Sequence, residues 1–371
     1  MQVIIIGAGP SGLACAACLK QHGIAAEIFE RAAQVGSAWR GHYKRLHLHT
    51  SRGRSGLPHL AMPKRYGRYP SRLQMIEYLE GYAKAFDLRP RFGVTIKTVR
   101  PANGAWQVSH SEGDGLADAV IFATGLNGAP YRAEQPGQDS FPGPIRHSSE
   151  YTDATPYKGQ RVLVVGFGNS GGDIALDLAE AGGEVALSVR GPVNILPHEL
   201  FGIPITSMGG LRKILPYRWA DAITAPVLRA RIGRPEEYGL QSAAKGPAAQ
   251  VIEYGRIPLI DIGTLAAIRD GRIAAHPGIA QIEAATITFA DGTTGEFDAI
   301  ILATGYRTDL RPLLPHTPEA LDSQGRPVAC GTPGPVRGLY FCSYKASADG
   351  QLHQSGMEAR AIAGSIAETP G

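Results

Sequence analysis

The chain has 371 residues, of which 43% are hydrophobic and 19% are charged. This length predicts two or three domains, and the hydrophobic fraction excludes a disordered chain. The net charge of +4 is unevenly spread, because residues 31–76 hold ten Lys or Arg and no Asp or Glu. Four cysteines exclude a disulfide scaffold, and no run reaches the roughly 20 apolar residues of a membrane helix. We therefore expect a cytoplasmic protein with no membrane partner.

The chain opens with a strand, a glycine-rich turn and a helix. Val3–Ile6 is a continuous β-branched run, which is typical of a buried parallel strand. A G-x-G-x-x-G pattern follows it and precedes a helix predicted over 11–22, the context of a dinucleotide site. The free N–H groups at the helix start favour a pyrophosphate. We expect cofactor contacts at Gly7, Gly9, Pro10, Ser11 and Gly12.

The residue after the next strand indicates which nucleotide the turn binds. Glu30 lies 18 residues after Gly12, where a carboxylate accepts hydrogen bonds from a ribose 2′-hydroxyl. The first site therefore favours FAD or NAD over a 2′-phosphorylated nucleotide.

A second copy of the pattern begins at residue 161. Here the position after the second strand is Arg190, and an arginine there suits the 2′-phosphate of NADPH. The two sites together predict FAD and NADPH. Cofactor contacts in the second copy are expected at Gly166, Gly168, Asn169, Ser170, Gly171, Ser188 and Arg190.

Each glycine-rich unit is followed, more than 100 residues later, by a similar strand: residues 118–125 and residues 298–305. This internal repeat predicts an α/β fold of two Rossmann-like dinucleotide-binding domains, with the NADPH domain inserted into the FAD domain. The expected boundaries are 1–145 and 297–371 for the FAD domain and 155–292 for the NADPH domain.

Two other interpretations were weighed. Residues 168–172 also fit G-x-S-x-G, so Ser170 is a candidate hydrolase nucleophile with Asp261 and His353 as partners. That reading leaves Glu30 and the first turn unexplained. A C-x-x-C pair at residues 15 and 18 invites a redox or zinc site, but it lies on the first helix, where burial against the sheet is favoured. No metal is expected.

The motifs resemble a known family. Phe141-x-Gly143-x-x-x-His147-x-x-x-Tyr151 and the segment 302–306, Leu-Ala-Thr-Gly-Tyr, are similar to identifying sequences of the flavin-containing monooxygenases. Residues 43–49 and 258–263 resemble the plant YUCCA branch, here as a short chain of the bacterial type. Gly172-Asp173 departs from the family pattern, and the segment 344–354, which lies near the flavin in the family, matches loosely.

The resemblance implies an NADPH- and FAD-dependent monooxygenase that uses a flavin C(4a)-(hydro)peroxide to insert one atom of molecular oxygen into a small substrate. His49 is the candidate catalytic residue, and the segment 141–151 would link the two domains. Water must be kept from the flavin. Further cofactor contacts are expected at Arg31, Trp39, Arg40, Leu46, His49, Thr124, Gly125, Thr304, Gly305 and Tyr306.

The YUCCA likeness implies oxidative decarboxylation of a 2-oxo acid such as indole-3-pyruvate to indole-3-acetate. N- or S-oxygenation of a soft nucleophile and plain NADPH oxidase activity are the alternatives. The substrate is expected to be anionic or aromatic. Anionic cofactors and substrate also account for the basic segment 31–76, so no nucleic acid partner is expected.

Overall fold

The computed structural model describes residues 1–210 and 216–369. Residues 211–215 of the predicted NADPH domain and the last two of the predicted 297–371 segment lie outside them. Contacts divide the chain into two compact units. The first comprises Met1–Arg40, Thr50–Ala129 and Tyr306–Gly371, and the second comprises Gly41–His49 and Pro130–Gly305.

The strands are short, and the central strands of the two parallel sheets coincide with apolar runs of the sequence. They are β1 Val3–Ile6, β2 Ala26–Glu30, β3 Arg91–Phe92, β4 Ile96–Ala102, β5 Ala105–His110, β6 Gly113–Ala117, β7 Ala119–Phe122, β8 Ala129–Pro130, β9 Ile145–His147, β10 Arg161–Val165, β11 Glu184–Ser188, β12 Ile195–Pro197, β13 Glu199–Leu200, β14 Ile203–Pro204, β15 Leu259–Asp261, β16 Ile273–His276, β17 Ile279–Glu283, β18 Thr286–Phe289, β19 Thr294–Glu296, β20 Ala299–Leu302, β21 Tyr306–Arg307 and β22 Leu339–Phe341.

The α-helices of the described residues are α1 Pro10–Gln21, α2 Ser37–Arg40, α3 Arg72–Ala85, α4 Asn169–Glu180, α5 Tyr217–Ile232, α6 Pro247–Tyr254, α7 Thr264–Arg269 and α8 Gln351–Glu368. Short 3-10 helices cover Arg52–Arg54, Gln138–Ser140, Ser148–Glu150, Thr155–Tyr157, Ile205–Gly210, Pro235–Tyr238 and Pro318–Ala320. Within the described part of the chain, no helix combines the length and apolar character needed to cross a bilayer.

The first unit is built on a five-stranded parallel sheet in the order β22-β7-β1-β2-β3. Its central strand β1 is buried along its whole length, which explains why no polar residue interrupts it. Helix α1 packs against α8. A three-stranded antiparallel sheet, β4-β5-β6, completes the unit.

The second unit repeats this plan. Its parallel sheet has the order β16-β11-β10-β20-β9, and the antiparallel sheet β17-β18-β19 accompanies it. Strand β10 is central and buried from Val162 to Val165, with β11 on one side and β20 on the other. The predicted α/β repeat is therefore present as two parallel sheets of the same size.

The compact units divide the chain at other residues than those expected. Residues 298–305 belong to the second unit because β20 pairs with β10, and residues 130–145 belong there because β9 pairs with β20. The segment 141–151 thus lies wholly within the second unit as its edge strand and the turn after it, rather than as a link. Gly41–His49 also joins the second unit, which no local pattern indicates.

The Pro- and Gly-rich composition of residues 191–258 predicts short helices, yet α5 spans 16 residues. Four alanines, a leucine and three arginines between Tyr217 and Ile232 favour helix and carry it past Pro226. Gly233, with a φ of 79°, follows the last residue of the helix.

Candidate functional site: two dinucleotide cradles

The turn between β1 and α1 has the shape of a phosphate cradle. Gly7 has a φ of 110°, and a Cβ there would lie 2.7 Å from the Ala123 carbonyl oxygen. A Cβ at Gly12 would lie 1.9 Å from the Gly7 carbonyl oxygen, so both glycines are needed for packing. A Cβ at Gly9 would meet no atom within 4 Å. Since α1 has no side-chain cap, its first N–H groups are available to an anion on this open side.

Glu30 ends β2 beside this turn. Its side chain is buried, and its two carboxylate oxygens accept the backbone N–H groups of Ala8 and Ala32 at 2.8 and 2.9 Å. The carboxylate therefore holds the glycine-rich turn against the end of β2. Oε1 also accepts the Ser37 hydroxyl at 3.5 Å, while Oε2 keeps a further lone pair for a ribose hydroxyl, the role expected from the sequence.

A buried tyrosine meets the loop after β7. The Tyr344 hydroxyl lies 2.7 Å from Thr124 Oγ1 and accepts the Thr124 N–H at 3.1 Å, while Gly125 adopts a φ of 79°. Burial raises the pKa of Tyr344, so the phenol stays protonated. Sequence reasoning placed Thr124 at this site but not Tyr344, whose only signal was its place in the loosely matching segment 344–354.

The N-terminal half of α8 contributes a polar cluster to the same unit. Ser355 Oγ lies 3.1 Å from Ser11 Oγ and 2.7 Å from Ser343 Oγ, and the Glu358 carboxylate accepts the Ser343 N–H at 2.5 Å. Ser343 has a φ of 72°, which this hydrogen bond helps to hold. Ser11 is thus tied to α8, a contact between residues 344 positions apart that no motif predicts.

The remaining predicted residues of the first unit lie at its periphery. Trp39 and Arg40 form the end of the short helix α2, where Arg40 pairs with Glu80, and Arg31 is exposed just after β2. Tyr306 follows the last residue of the second unit.

The turn between β10 and α4 reproduces the first cradle. Gly166 has a φ of 114° and a Cβ there would lie 2.5 Å from the Ala303 carbonyl oxygen, while a Cβ at Gly171 would lie 2.1 Å from the Gly166 carbonyl oxygen. Gly168 again faces open space, and α4 again lacks a side-chain cap. The two cradles are therefore alike in shape and in electrostatic character, and both fit a pyrophosphate.

Side chains beside the second cradle form hydrogen bonds with the backbone of nearby segments. Asn169 Oδ1 accepts the Ile260 N–H at 2.8 Å, and Ser188 donates its hydroxyl to the Pro277 carbonyl at 3.0 Å. Arg190 is exposed two residues beyond β11. A Cβ at Gly278 would lie 3.2 Å from Arg190 Cγ, so the backbone at Gly278 lines the arginine stem. Arg190 thus places a cation just beyond β11, where the first unit has Glu30 at the end of β2.

The segment Gly41–His49 is bound to α4 by a buried polar network. The Tyr43 hydroxyl is hydrogen-bonded to the side chains of Ser170 and Asp173, and Arg45 forms ion pairs with Asp173 at 2.9 Å and with Asp177 at 3.6 Å. Burial raises the pKa of Asp173 to about 6, against the attraction of Arg45. Ser170 is the second residue of α4, so this network reaches the first helical turn at the second cradle.

Leu46 and His49 lie further along this segment. Leu46 packs against the apolar core beside α4. The His49 ring lies edge-on to His198, with centroids 5.9 Å apart. Burial, followed by the positive charges of His198 and His47, lowers the pKa of His49 to about 4. His49 is therefore a neutral imidazole at neutral pH, with one donor and one acceptor nitrogen.

The segment 141–151 and the loop after β20 support each other. His147 is fully buried, and its Nε2 is hydrogen-bonded to the Gly305 carbonyl at 3.0 Å. Thr304 donates its hydroxyl to the Tyr131 carbonyl. Tyr151 donates its hydroxyl to Asp177 at 2.5 Å. The hydrogen bonds of His147 and Tyr131 hold the loop that carries Thr304 and Gly305, and the first of them joins the two family-like motifs.

The structure accounts for the groups behind the alternative interpretations. Asp261 accepts the N–H groups of Gly263 and Leu265 and so caps α7, while His353 belongs to α8 of the first unit. Cys15 and Cys18 are free thiols buried within α1, as the packing interpretation predicts. Burial raises the pKa of Cys18 to about 11, so this thiol is not poised for redox chemistry.

Comparison with known proteins agrees with this geometry. Residues 4–196 match the family described as pyridine nucleotide-disulphide oxidoreductase. The indole-3-pyruvate monooxygenase YUCCA1 of Oryza sativa subsp. japonica is 38% identical over 312 residues, which cover 83% of this chain and 77% of that protein. The indole-3-pyruvate monooxygenase YUCCA6 of Arabidopsis thaliana is 39% identical over 320 residues, covering 83% and 76%.

A solved structure extends the similarity to nearly the whole chain. The flavin-containing monooxygenase from Stenotrophomonas maltophilia superimposes with a TM-score of 0.74 at 26% identity, over 98% of this chain and 97% of that one. The chain therefore belongs to the flavin-containing monooxygenase family, in its YUCCA branch, whose enzymes are oxidoreductases that use FAD and NADPH.

Proposed function

We propose that the first unit binds FAD, that the second unit binds NADPH as a domain inserted into the first, and that the protein oxidatively decarboxylates a 2-oxo acid. One observation supports the cofactor assignment: the two cradles match in shape, but the residue after the second strand is acidic in the first unit and basic in the second. Glu30 lies at the position that binds a ribose hydroxyl, and Arg190 lies at the position that binds a 2′-phosphate.

In the first unit, the open side of Gly9 and the N-terminus of α1 hold the FAD pyrophosphate. Glu30 accepts the ribose hydroxyl, and its hydrogen bond from the Ala8 N–H keeps the turn in place when the nucleotide binds. Gly7, Pro10, Ser11, Gly12, Arg31, Trp39, Arg40, Thr124, Gly125 and Tyr306 complete the proposed FAD contacts.

In the second unit, Gly168 and the N-terminus of α4 hold the NADPH pyrophosphate, and Arg190 pairs with the 2′-phosphate. Gly278 supports the stem of Arg190, which reduces the rotamer entropy lost on binding. Gly166, Asn169, Ser170, Gly171, Ser188, Leu46, Thr304 and Gly305 complete the proposed NADPH contacts.

Bound FAD supplies the chemistry with oxygen, and the protein supplies position, hydrogen bonds and exclusion of water. We assign His49 a hydrogen-bonding role at the reacting groups. Because its lowered pKa keeps it neutral, it offers one N–H donor without acting as a proton source near neutral pH. The Tyr43–Asp173 hydrogen bond ties the segment that carries His49 to the helix at the NADPH cradle.

The substrate class rests on the relatives. Two YUCCA proteins named indole-3-pyruvate monooxygenases are 38% and 39% identical to this chain over 83% of its length. The balanced reaction consumes the 2-oxo acid, one O₂ and one NADPH with a proton. It yields the shortened acid, CO₂, NADP⁺ and water. A cytoplasmic location completes the proposal, supported by four cysteines that are all free thiols.

The test is product analysis by mass spectrometry with isotopically labelled molecular oxygen. Purified holoenzyme and NADPH are given indole-3-pyruvate, other 2-oxo acids, amines and sulfides in parallel. We expect indole-3-acetate carrying one labelled oxygen atom, with one NADPH consumed per product. Labelled N- or S-oxides without turnover of any 2-oxo acid would overturn the substrate class, and hydrogen peroxide as the sole product would overturn oxygen transfer to both classes.

A further inference from the structure

Helix α5 carries a continuous apolar face that points to solvent. The largest of its side chains, Trp219, Ile223 and Val227, are spaced four residues apart and are 65%, 54% and 37% exposed. Ala222, Pro226 and Ala230 lie on the same side at helical spacing and are also exposed. We call these six residues the α5 outer face.

The opposite side of α5 anchors the helix. Leu228 is buried there, and Asp221 accepts the Ala248 and Ala249 N–H groups at 2.9 and 3.0 Å, which caps α6. The orientation of α5 is therefore set by its inner side. Apolar residues on the outer face are not explained by packing within the second unit.

Arginines border the outer face on both sides. At 100° per residue, Arg218 and Arg229 lie along one border and Arg231 lies along the other, and all three are exposed. Arg218 has one acidic neighbour, Glu253, at 3.9 Å. Across residues 205–234 the sequence has five Arg and one Lys against the single acid Asp221, and that acid is engaged on the inner side.

We propose that the α5 outer face lies on a membrane surface that contains anionic lipids. A helix with an apolar face that includes Trp, bordered by Arg, matches the interfacial region of a bilayer, where Trp and the guanidinium groups meet the headgroups. A second copy of this chain fits less well, because a two-fold contact between two such faces would bring the arginine borders together.

This inference is independent of the cofactor assignment. The expectation of no membrane partner rested on the lack of an apolar run long enough to span a bilayer. A helix that lies in the interface needs no such run, because only one of its sides enters the lipid.

The experiment is sedimentation of the purified holoenzyme with two kinds of vesicle: phosphatidylcholine alone, and phosphatidylcholine mixed with phosphatidylglycerol. Ile223→Asp places a carboxylate at the centre of the outer face. Leu73→Asp is the matched control, since Leu73 is a 65% exposed apolar residue on another helix, α3. Trp219 fluorescence gives a second signal, with the Trp219→Phe variant as its blank.

We expect the wild type and the Leu73→Asp variant to sediment with the anionic vesicles, with binding falling as salt is raised. The Ile223→Asp variant should bind about tenfold less, a loss of about 1.4 kcal/mol, while its NADPH oxidation without lipid is unchanged. Trp219 emission should shift to the blue on binding. Equal sedimentation of both aspartate variants, or no sedimentation of the wild type, would overturn the proposal. A change of solution mass caused by Ile223→Asp, without vesicle binding, would instead make the face an interface between copies.

Discussion

The phenol of Tyr43 donates a hydrogen bond to the carboxylate of Asp173, which lies 130 residues further along the chain. Both side chains are buried, and burial raises the pKa of Tyr43 well above its usual range, with Asp173 adding to the effect. The phenol therefore remains a donor at every physiological pH. Together with the ion pairs of Arg45, this bond joins the segment carrying His49 to the helix of the second cradle.

Asp173 predicts an unusual dependence of stability on pH. Its pKa is raised from 3.8 to about 6 in the folded protein, so the folded state binds the proton more tightly than the unfolded state does. The contribution of Asp173 to the free energy of unfolding is fully present below pH 3.8 and is lost as pH rises through about 6. Relative to Asp173→Asn, the wild type should lose at most about 3 kcal/mol over this window.

Urea unfolding of both proteins across this pH range measures the difference. Asp298→Asn is a useful control because hydrogen bonds from Arg161 lower the pKa of Asp298 to about 2, so its contribution has the opposite sign. A difference between wild type and Asp173→Asn that does not vary with pH would contradict the assignment.

His49 is expected to stay neutral in the folded protein down to a pH of about 4. Since its pKa is lowered from 6.5, its contribution to stability is present above pH 6.5 and is lost as pH falls toward 4. Nuclear magnetic resonance of the ring protons should show no His49 titration near pH 6.5. His198→Asn removes one of the neighbouring charges and should raise the His49 pKa. A midpoint at the ordinary value in the wild type would refute this expectation.

Gly9 and Gly168, where an added Cβ would meet no atom within 4 Å, allow the same test in both cradles. Gly9→Ala should fold normally but bind FAD about tenfold more weakly or worse, a loss of about 1.4 kcal/mol, because the added methyl group occupies the phosphate space. Gly168→Ala should keep FAD and raise the KM for NADPH by a similar factor. Flavin absorbance and steady-state kinetics measure the two effects.

Gly81→Ala is the matched control for both variants. Gly81 lies within α3, and a Cβ there also meets no atom within 4 Å. This change should leave both cofactors bound and stabilise the fold by about 0.5–1 kcal/mol. Unaltered FAD binding by the Gly9→Ala variant would contradict the proposal that the FAD pyrophosphate occupies the space beside Gly9.

Arg190→Gln should raise the KM for NADPH about tenfold or more, because a charge-assisted hydrogen bond contributes about 1.5–3 kcal/mol. The kinetics with NADH, which lacks the 2′-phosphate, should barely change. Arg272→Gln removes another exposed arginine of the same unit, paired with Asp270 at 3.5 Å, and serves as the control. Equal losses with NADPH and NADH would assign Arg190 a structural role.

Local patterns predicted the parallel strands and both cradles well. Val3–Ile6 and Arg161–Val165 are continuous apolar runs, and each is followed by glycines whose spacing suits one backbone geometry. Contacts between distant residues left no such trace. The Ser11–Ser355 contact and the Thr124–Tyr344 contact depend on the tertiary fold, as do the contacts of residues 41–49 with Asp173 and its neighbours.

The second unit includes nine residues, 41–49, from a separate part of the chain, so it cannot be transferred as one continuous segment. A fragment cut at residues 130 and 305 would contain its complete parallel sheet but would lack Tyr43 and Arg45. Asp173 would then be a buried carboxylate without its cation, which carries a severe penalty. Exchange of nucleotide domains between relatives therefore requires four junctions rather than two, with residues 41–49 transferred together with the helix they bind.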